Sequence, residues 1–208
     1  MGTRSALRCA LLVAAVLPVL AACGGTTGAA KRTLQDVAVQ KGEVTGLSLC
    51  PQSGSPDAVV ARLRDGGDSN GADELAGNWS DDQGRGGRAA YVVAYAASPS
   101  DCLHIFGSYG SAAINDLQNK WLVNYVVSFS SDSQAQANWA HRASYLQNFD
   151  HTIGKTTGLG DNAVVIDAYP PQWFAAWSKG SSYSILTTNY DAATARKLAT
   201  LVAARMTQ

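Results

Sequence analysis

Charge is scarce in this chain of 208 residues: only 15% are Asp, Glu, Lys or Arg, with 16 acidic residues against 16 basic. With no net charge and no basic cluster, it lacks the electrostatic footprint that nucleic-acid binding needs. Histidine is nearly absent, limited to His104, His141 and His151. No H-E-x-x-H or G-x-S-x-G stretch occurs, so neither a zinc protease nor a nucleophile-elbow hydrolase is indicated. The four cysteines, Cys9, Cys23, Cys50 and Cys102, include no C-x-x-C pair, which argues against a redox or structural-zinc role. The apolar run from about Cys9 to Leu20 falls short of the roughly 20 residues that a membrane-spanning helix requires. Nothing points to a cofactor.

What is present begins with that short run. Arg4 and Arg8 flank it on one side and small residues on the other, the layout of a secretory signal over residues 1–22. A plain signal asks nothing of the residue after its cut, whereas here Ala21-Ala22 is followed by Cys23 and Gly24-Gly25. Leu20-Ala21-Ala22-Cys23 resembles a bacterial lipobox. The resemblance implies that Cys23 is acylated, becomes the first residue of the mature chain and anchors it to the extracytoplasmic face of the cell membrane. Each buried acyl CH₂ contributes about 0.8 kcal/mol, so two or three chains hold firmly. Residues 23–35 then form the lipidated terminus and a small, polar, flexible linker. Residues 36–208 are of a size for one domain.

Once Cys9 leaves with the signal and Cys23 carries lipid, Cys50 and Cys102 are the remaining thiols in an oxidising compartment, and a leftover pair there joins. A loop of about 50 residues closed by one bridge is stabilised by about 4 kcal/mol in the chain-entropy estimate. The enclosed stretch from Gly66 to Arg88 is rich in Gly, Asp and Asn, the composition of an irregular polar loop.

Three stretches echo one another, starting at Ala90, Asn124 and Ser182: a short β-branched or aromatic strand, a polar junction, then a helix. Ser98, Asp132 and Asn189 or Asp191 are the helix caps on offer. One apolar stripe runs through Ala135, Trp139, Ala143 and Leu146, another through Ala195, Leu198, Val202 and Ala203 or Met206, so both helices should pack on a sheet. Ser55-Pro56 and Gly66-Gly67 bracket an earlier helix. NAVVIDAY, QWFAAWSKG and SYSILTTN, joined by short turns, predict antiparallel neighbours. The sum is an α+β fold, a mainly antiparallel sheet with helices packed on it, in which the echo allows two related β-helix-β halves.

Candidate ligand-binding residues are Trp79, Trp173 and Trp177. On a strand, Trp173 and Trp177 share a face with Ala175 while Phe174 points the other way. Two indoles there form either a stacking platform or core packing, and packing carries more weight. Trp79, amid polar residues, is either a plug that pins the loop or a contact for a ligand. Asp68, Asp73, Glu74, Asp81 and Asp82 raise a calcium reading, but Ala72 occupies a ligand place of an EF-hand loop, leaving a solvated acidic loop. GLGDNAVV lacks phosphate-loop spacing and reads as a glycine turn into a strand. His141 and His151 read as surface or capping residues. Asn78-Trp79-Ser80 matches a glycosylation sequon by chance if the host is bacterial.

Taken together, the lipobox, the C-x-x-S-G turn at Cys50 to Gly54, a second Cys after YVVAYA, the LGDNAVV strand entry and an Ala-rich final helix resemble actinobacterial-type lipoproteins of uncharacterised function. A fainter likeness is to the extracellular sensor domain of mycobacterial serine/threonine kinases, although this chain lacks the second disulfide of such domains. The resemblance implies a membrane-anchored, non-catalytic ligand-binding or sensor-like domain, its ligand held in a groove between sheet and helices. The partners are then membrane lipid through acylated Cys23 and a small molecule or envelope protein. A structural or protein-partner module of the envelope is the alternative. A cell-wall hydrolase is third, for want of a marked pair of carboxylates.

Overall fold

A computed structural model describes residues 32–106, 119–146, 154–155, 159–160, 162–169 and 172–206. The expected signal, the lipobox, most of the linker and His151 lie outside them. Alternating apolar residues form β2 (Gly87–Ala96), β3 (Trp121–Phe129), β5 (Asn162–Tyr169), β6 (Gln172–Lys179) and β7 (Ser182–Thr188). The short strands β1 (Ser48–Leu49) and β4 (Gly154–Lys155) occupy the two edges of a sheet ordered β1-β2-β3-β7-β6-β5-β4. Every pairing is antiparallel, as the short turns predict.

Helices cover both faces. On one lie α2 (Pro56–Asp65), α3 (Ser69–Gly84) and α4 (Asp132–Leu146); on the other lie α1 (Leu34–Val37) and α5 (Ala192–Arg205). Strand alternation divides the core accordingly: Val92, Val123, Tyr125, Phe174 and Ile185 face α2–α4, while Val93, Leu122, Val126, Ala175 and Leu186 face α5. Because both faces are covered, β3 is buried at nearly every position. The α5 stripe packs as its spacing predicts, with Ala195, Leu198, Val202 and Ala203 all buried. Asp191 caps this helix, its carboxylate accepting from the Thr194 N–H at 2.9 Å.

Residues 38–47 form a strap beside α5. Arg205 donates to the Val37 and Ala38 carbonyls at 2.9 Å each and pairs with Glu43 at 2.6 Å. The Asn124 side-chain Oδ1 accepts from Val39 N–H at 3.1 Å, and the Tyr95 hydroxyl donates to Val39 O at 2.9 Å. Burial pushes the Tyr95 phenol up to about 12, with Tyr91 and Glu43 adding to the effect, so it stays a neutral donor.

Two expectations change. The Gly66 to Arg88 stretch is not an irregular loop, because most of it is α3. Asp68 caps that helix by accepting from Gly71 N–H at 2.9 Å. Ala72, Leu75, Trp79 and Asp82, spaced by three and four, form its buried stripe. Burial of that stripe overrides the poor intrinsic helix propensity of its Gly, Asp, Ser and Asn residues. Asp132 is the first residue of α4 rather than its cap; the Ser131 hydroxyl accepts from Gln134 N–H at 3.3 Å. After β2 the described residues make a 3₁₀ turn, Asp101–Leu103, and residues 107–118 lie outside the description. Before β5, Gly160 has φ +144°, and a Cβ there would collide with the Ser178 carbonyl. Only glycine suits that turn.

Candidate functional site

The cysteine pair is joined: Cys50 and Cys102 form a disulfide with Cα atoms 5.5 Å apart, buried on the α2–α4 side. Cys23 lies outside the described residues. The three candidate tryptophans are not brought together. Trp79 is buried between α3 and the sheet. Trp177 lies on the opposite face, fully buried, its indole N–H directed at Met206 Sδ at 2.9 Å. Trp173 shares that face and is partly buried.

A polar cluster gathers instead at the seam of α3 and α4. Asp82 stands at a core position of the α3 stripe with no exposure. Its carboxylate accepts from the Tyr125 hydroxyl at 2.7 Å and from Arg142 Nη2 at 2.8 Å. Arg142, on α4, also donates to the side-chain and backbone oxygens of Asn78 at 2.7 and 2.9 Å. Burial works against the Arg142 charge, but Asp82, Tyr183 and Asp81 together outweigh it, so the guanidinium is held more firmly protonated than in water. One helical turn before Arg142, Asn138 is fully buried, with both its amide oxygen and its amide nitrogen unpartnered among the described residues. The Tyr183 hydroxyl, rising from β7, is also buried and unpartnered. Burial pushes its phenol upward; Arg142 opposes this and Asp82 adds to it.

The side of α3 that carries Asp81 bears a surface depression. Gly77, Ser80, Asp81, Gly84 and Arg85 line a shallow groove of about 530 Å³. A Cβ at Gly77 or Gly84 would meet nothing within 4 Å, so packing inside the chain does not require glycine at either position. Asp81 pairs with Arg85 at 3.3 Å, lies 3.6 Å from Arg142, and faces His141 Nε2 at 3.2 Å. Burial raises the Asp81 carboxyl, but Arg142, Arg85 and His141 together outweigh that and hold it below the usual carboxylate range. The acidic residues weighed for calcium are used elsewhere: Asp68 caps α3, Asp73 meets Arg64 at 2.9 Å, and Asp81 and Asp82 are held by arginines. Among the described residues no group of three or more His, Cys, Asp or Glu could hold a metal ion.

Asn138, Tyr183 and the Asp82–Arg142 pair escaped sequence reasoning. A signal existed, since Asp82 continues the stripe Ala72, Leu75, Trp79, while Asn138 and Arg142 flank Ala135, Trp139 and Ala143. Polar residues at core positions of two helices mark a seam that is not purely apolar.

Fold and site define an α+β domain: an antiparallel sheet between two helical layers, with a buried polar cluster under one of them. No helix among the described residues is long and apolar enough to cross a membrane. No protein-family model matches the sequence, and no curated protein is significantly similar to it. Among solved structures the chain is similar to the extracellular domain of PknH from Mycobacterium tuberculosis, at 10% identity and a TM-score of 0.41. The match covers 59% of this chain and 66% of that one, just under two thirds of that domain's length.

Proposed function

We propose that the chain is a lipoprotein anchored through Cys23, presenting an extracytoplasmic, non-catalytic domain that binds a ligand at the α3–α4 seam. The observation that carries the binding reading is that two buried side chains on the α2–α4 side of the sheet, Asn138 on α4 and Tyr183 on β7, have no hydrogen-bond partner among the described residues. Leaving such groups unpaired costs about 1–3 kcal/mol each, a cost that a bound molecule removes. Location outside the cytoplasm is supported by the buried disulfide, since such bonds persist in oxidising compartments. Binding is favoured over hydrolysis because the Asp81 carboxyl at the groove is held below the usual carboxylate range, whereas a general acid needs one raised towards neutrality.

Two measurements test this. Cys23→Ala should move the protein from the membrane fraction to the soluble fraction; retention would defeat the anchor. A thermal-shift screen of envelope saccharides and peptides should find a compound that raises the melting temperature of the native chain but not of Asn138→Leu. The second reading, a protein-partner module, is favoured by the open strip at Gly77 and Gly84, where a partner backbone could approach closely. Gly77→Trp should then abolish capture of that partner by cross-linking and leave small-molecule binding intact.

A further inference from the structure

The helices on the two faces of the sheet differ in charge. α5 carries three basic residues, Arg196, Lys197 and Arg205, and no acidic one, whereas α2 and α3 together carry six acidic residues against two arginines. Because Ala195, Leu198, Ala199, Val202 and Ala203 are buried on the sheet, Arg196 and Lys197 point outward and are exposed. Neither has an acidic partner among the described residues. Ala193, Thr200 and Ala204 are exposed on the same side, so no bulky residue of α5 holds these cations away from a flat surface. They lie about 12–14 Å along the helix from Arg205, which reaches the strap through Glu43 at 2.6 Å. Exposed Lys41, on that strap, and exposed Arg32, just before α1, add to the positive charge. The acids of this side are engaged: Glu43 by Arg205, and Asp36 and Asp191 by backbone N–H groups at the starts of α1 and α5, at 3.0 and 2.9 Å.

α1 lies on this face too, with Leu34 and Val37 packed in the same core as α5 and Arg205 donating to the Val37 and Ala38 carbonyls. The chain therefore enters the domain beside the basic helix. Nine peptide steps separate Cys23 from Arg32, a length that spans at most about 30 Å and, for a flexible chain, about 16 Å on average. A domain of this size is about 40 Å across. A lipid on Cys23 thus holds the α1–α5 side near the bilayer.

We propose that the outer face of α5, with Arg196 and Lys197 at its centre and Arg32 and Lys41 beside it, docks on an anionic phospholipid surface and turns the α2–α4 side towards solvent. This rests on the anchor reading above and adds the orientation of the anchored domain. Attraction to a negatively charged bilayer acts within a Debye length, about 8–10 Å at ordinary salt, and the short tether brings the cations into that range. The same field repels the acidic α2–α3 surface, so both sides of the charge asymmetry favour one orientation.

The test uses the full chain anchored in vesicles that contain an energy-acceptor lipid, with a donor dye on Thr200→Cys in α5 or on Asp73→Cys in α3. Cys50 and Cys102 are joined and an acylated Cys23 has no free thiol, so the dye goes to the new cysteine. With phosphatidylglycerol in the vesicles, transfer should be stronger from position 200 than from position 73. Arg196→Gln combined with Lys197→Gln should lower the ratio of docked to undocked domain at least about tenfold, because each cation near an anionic surface contributes roughly a factor of five. Vesicles of phosphatidylcholine alone, or salt that shortens the Debye length to about 4 Å, should also release the domain. Flotation with the vesicles should survive all of these changes, because the acyl chains hold. Equal transfer from both positions in anionic vesicles, or transfer that ignores the double substitution, overturns the docking surface and leaves the anchor standing. Failure to float with phosphatidylcholine vesicles defeats the anchor instead. The docking surface then stands if the chain floats with phosphatidylglycerol vesicles and the double variant does not, and falls otherwise.

Discussion

On the α5 face, buried polar groups find partners within the protein. The Asn124 amide donates to the Ser184 hydroxyl and the Ile185 carbonyl and accepts from the strap, while Thr188 donates to Trp121 O and Trp177 reaches Met206. On the α2–α4 face, Trp121 Nε1, Asn138, Ser178 Oγ, the Tyr183 hydroxyl and Thr187 Oγ1 have none among the described residues. The same sheet therefore carries one face completed by its own chain and one that is not. Unmade buried hydrogen bonds reduce stability, and they persist most readily where another molecule makes them. On the proposed reading, the α5 face is the scaffold and the α2–α4 face the side that meets a ligand.

Mutations sharpen or break this contrast. The largest effect is expected from Arg142→Met, which strands Asp82 as an unpaired buried charge and should lower unfolding stability by about 3–5 kcal/mol in urea titrations. Asp82→Asn in the same chain should recover part of that loss. Removing the disulfide by Cys50→Ala and Cys102→Ala releases a link across 52 positions and should cost about 4 kcal/mol, read from the shift in the denaturant midpoint. A sharper comparison sets two asparagines side by side. Asn124→Leu strands the groups it bonds to and should cost about 2–3 kcal/mol, whereas Asn138→Leu removes an amide with no protein partner and should stay within about 1 kcal/mol. Equal losses would erase the distinction between the faces.

The smallest effect concerns acid. The Asp81 carboxyl is held below its usual range in the folded chain, so its stabilisation is complete above its unfolded value of about 3.9. That stabilisation disappears as pH falls below this value and through the lower folded one. Asp81→Asn should lower stability by less than about 1 kcal/mol at pH about 6, given its exposure to solvent, and by less still at pH about 2. Unfolding curves at the two pH values check the sign.

Strand alternation made most of the fold legible. Trp173, Ala175 and Trp177 fall on one face and Phe174 on the other as their spacing demands, and the antiparallel order of β5, β6 and β7 follows from their short turns. The α5 stripe was equally readable because it is almost purely apolar. Composition misled at α3, where three glycines and several Asp and Asn residues hid a four-residue stripe ending in a buried acid. The same property hid the site. Asp82 and Arg142 satisfy each other across two helices 60 residues apart in sequence, a pairing that no local pattern reveals. Tyr183 and Asn138, like Trp121, Ser178 and Thr187, stand out only by lacking partners among the described residues, and that is visible only in the folded chain.

The most direct test of the account is a crystal structure of the native protein at a resolution that shows ordered water. The account predicts water or a bound ligand about 2.7–3.2 Å from the Asn138 amide and the Tyr183 hydroxyl, with the α5 face closed by protein contacts alone. If Asn138 and Tyr183 instead bond directly to protein groups, leaving no room for another molecule, the two faces are alike and the proposed recognition face is contradicted.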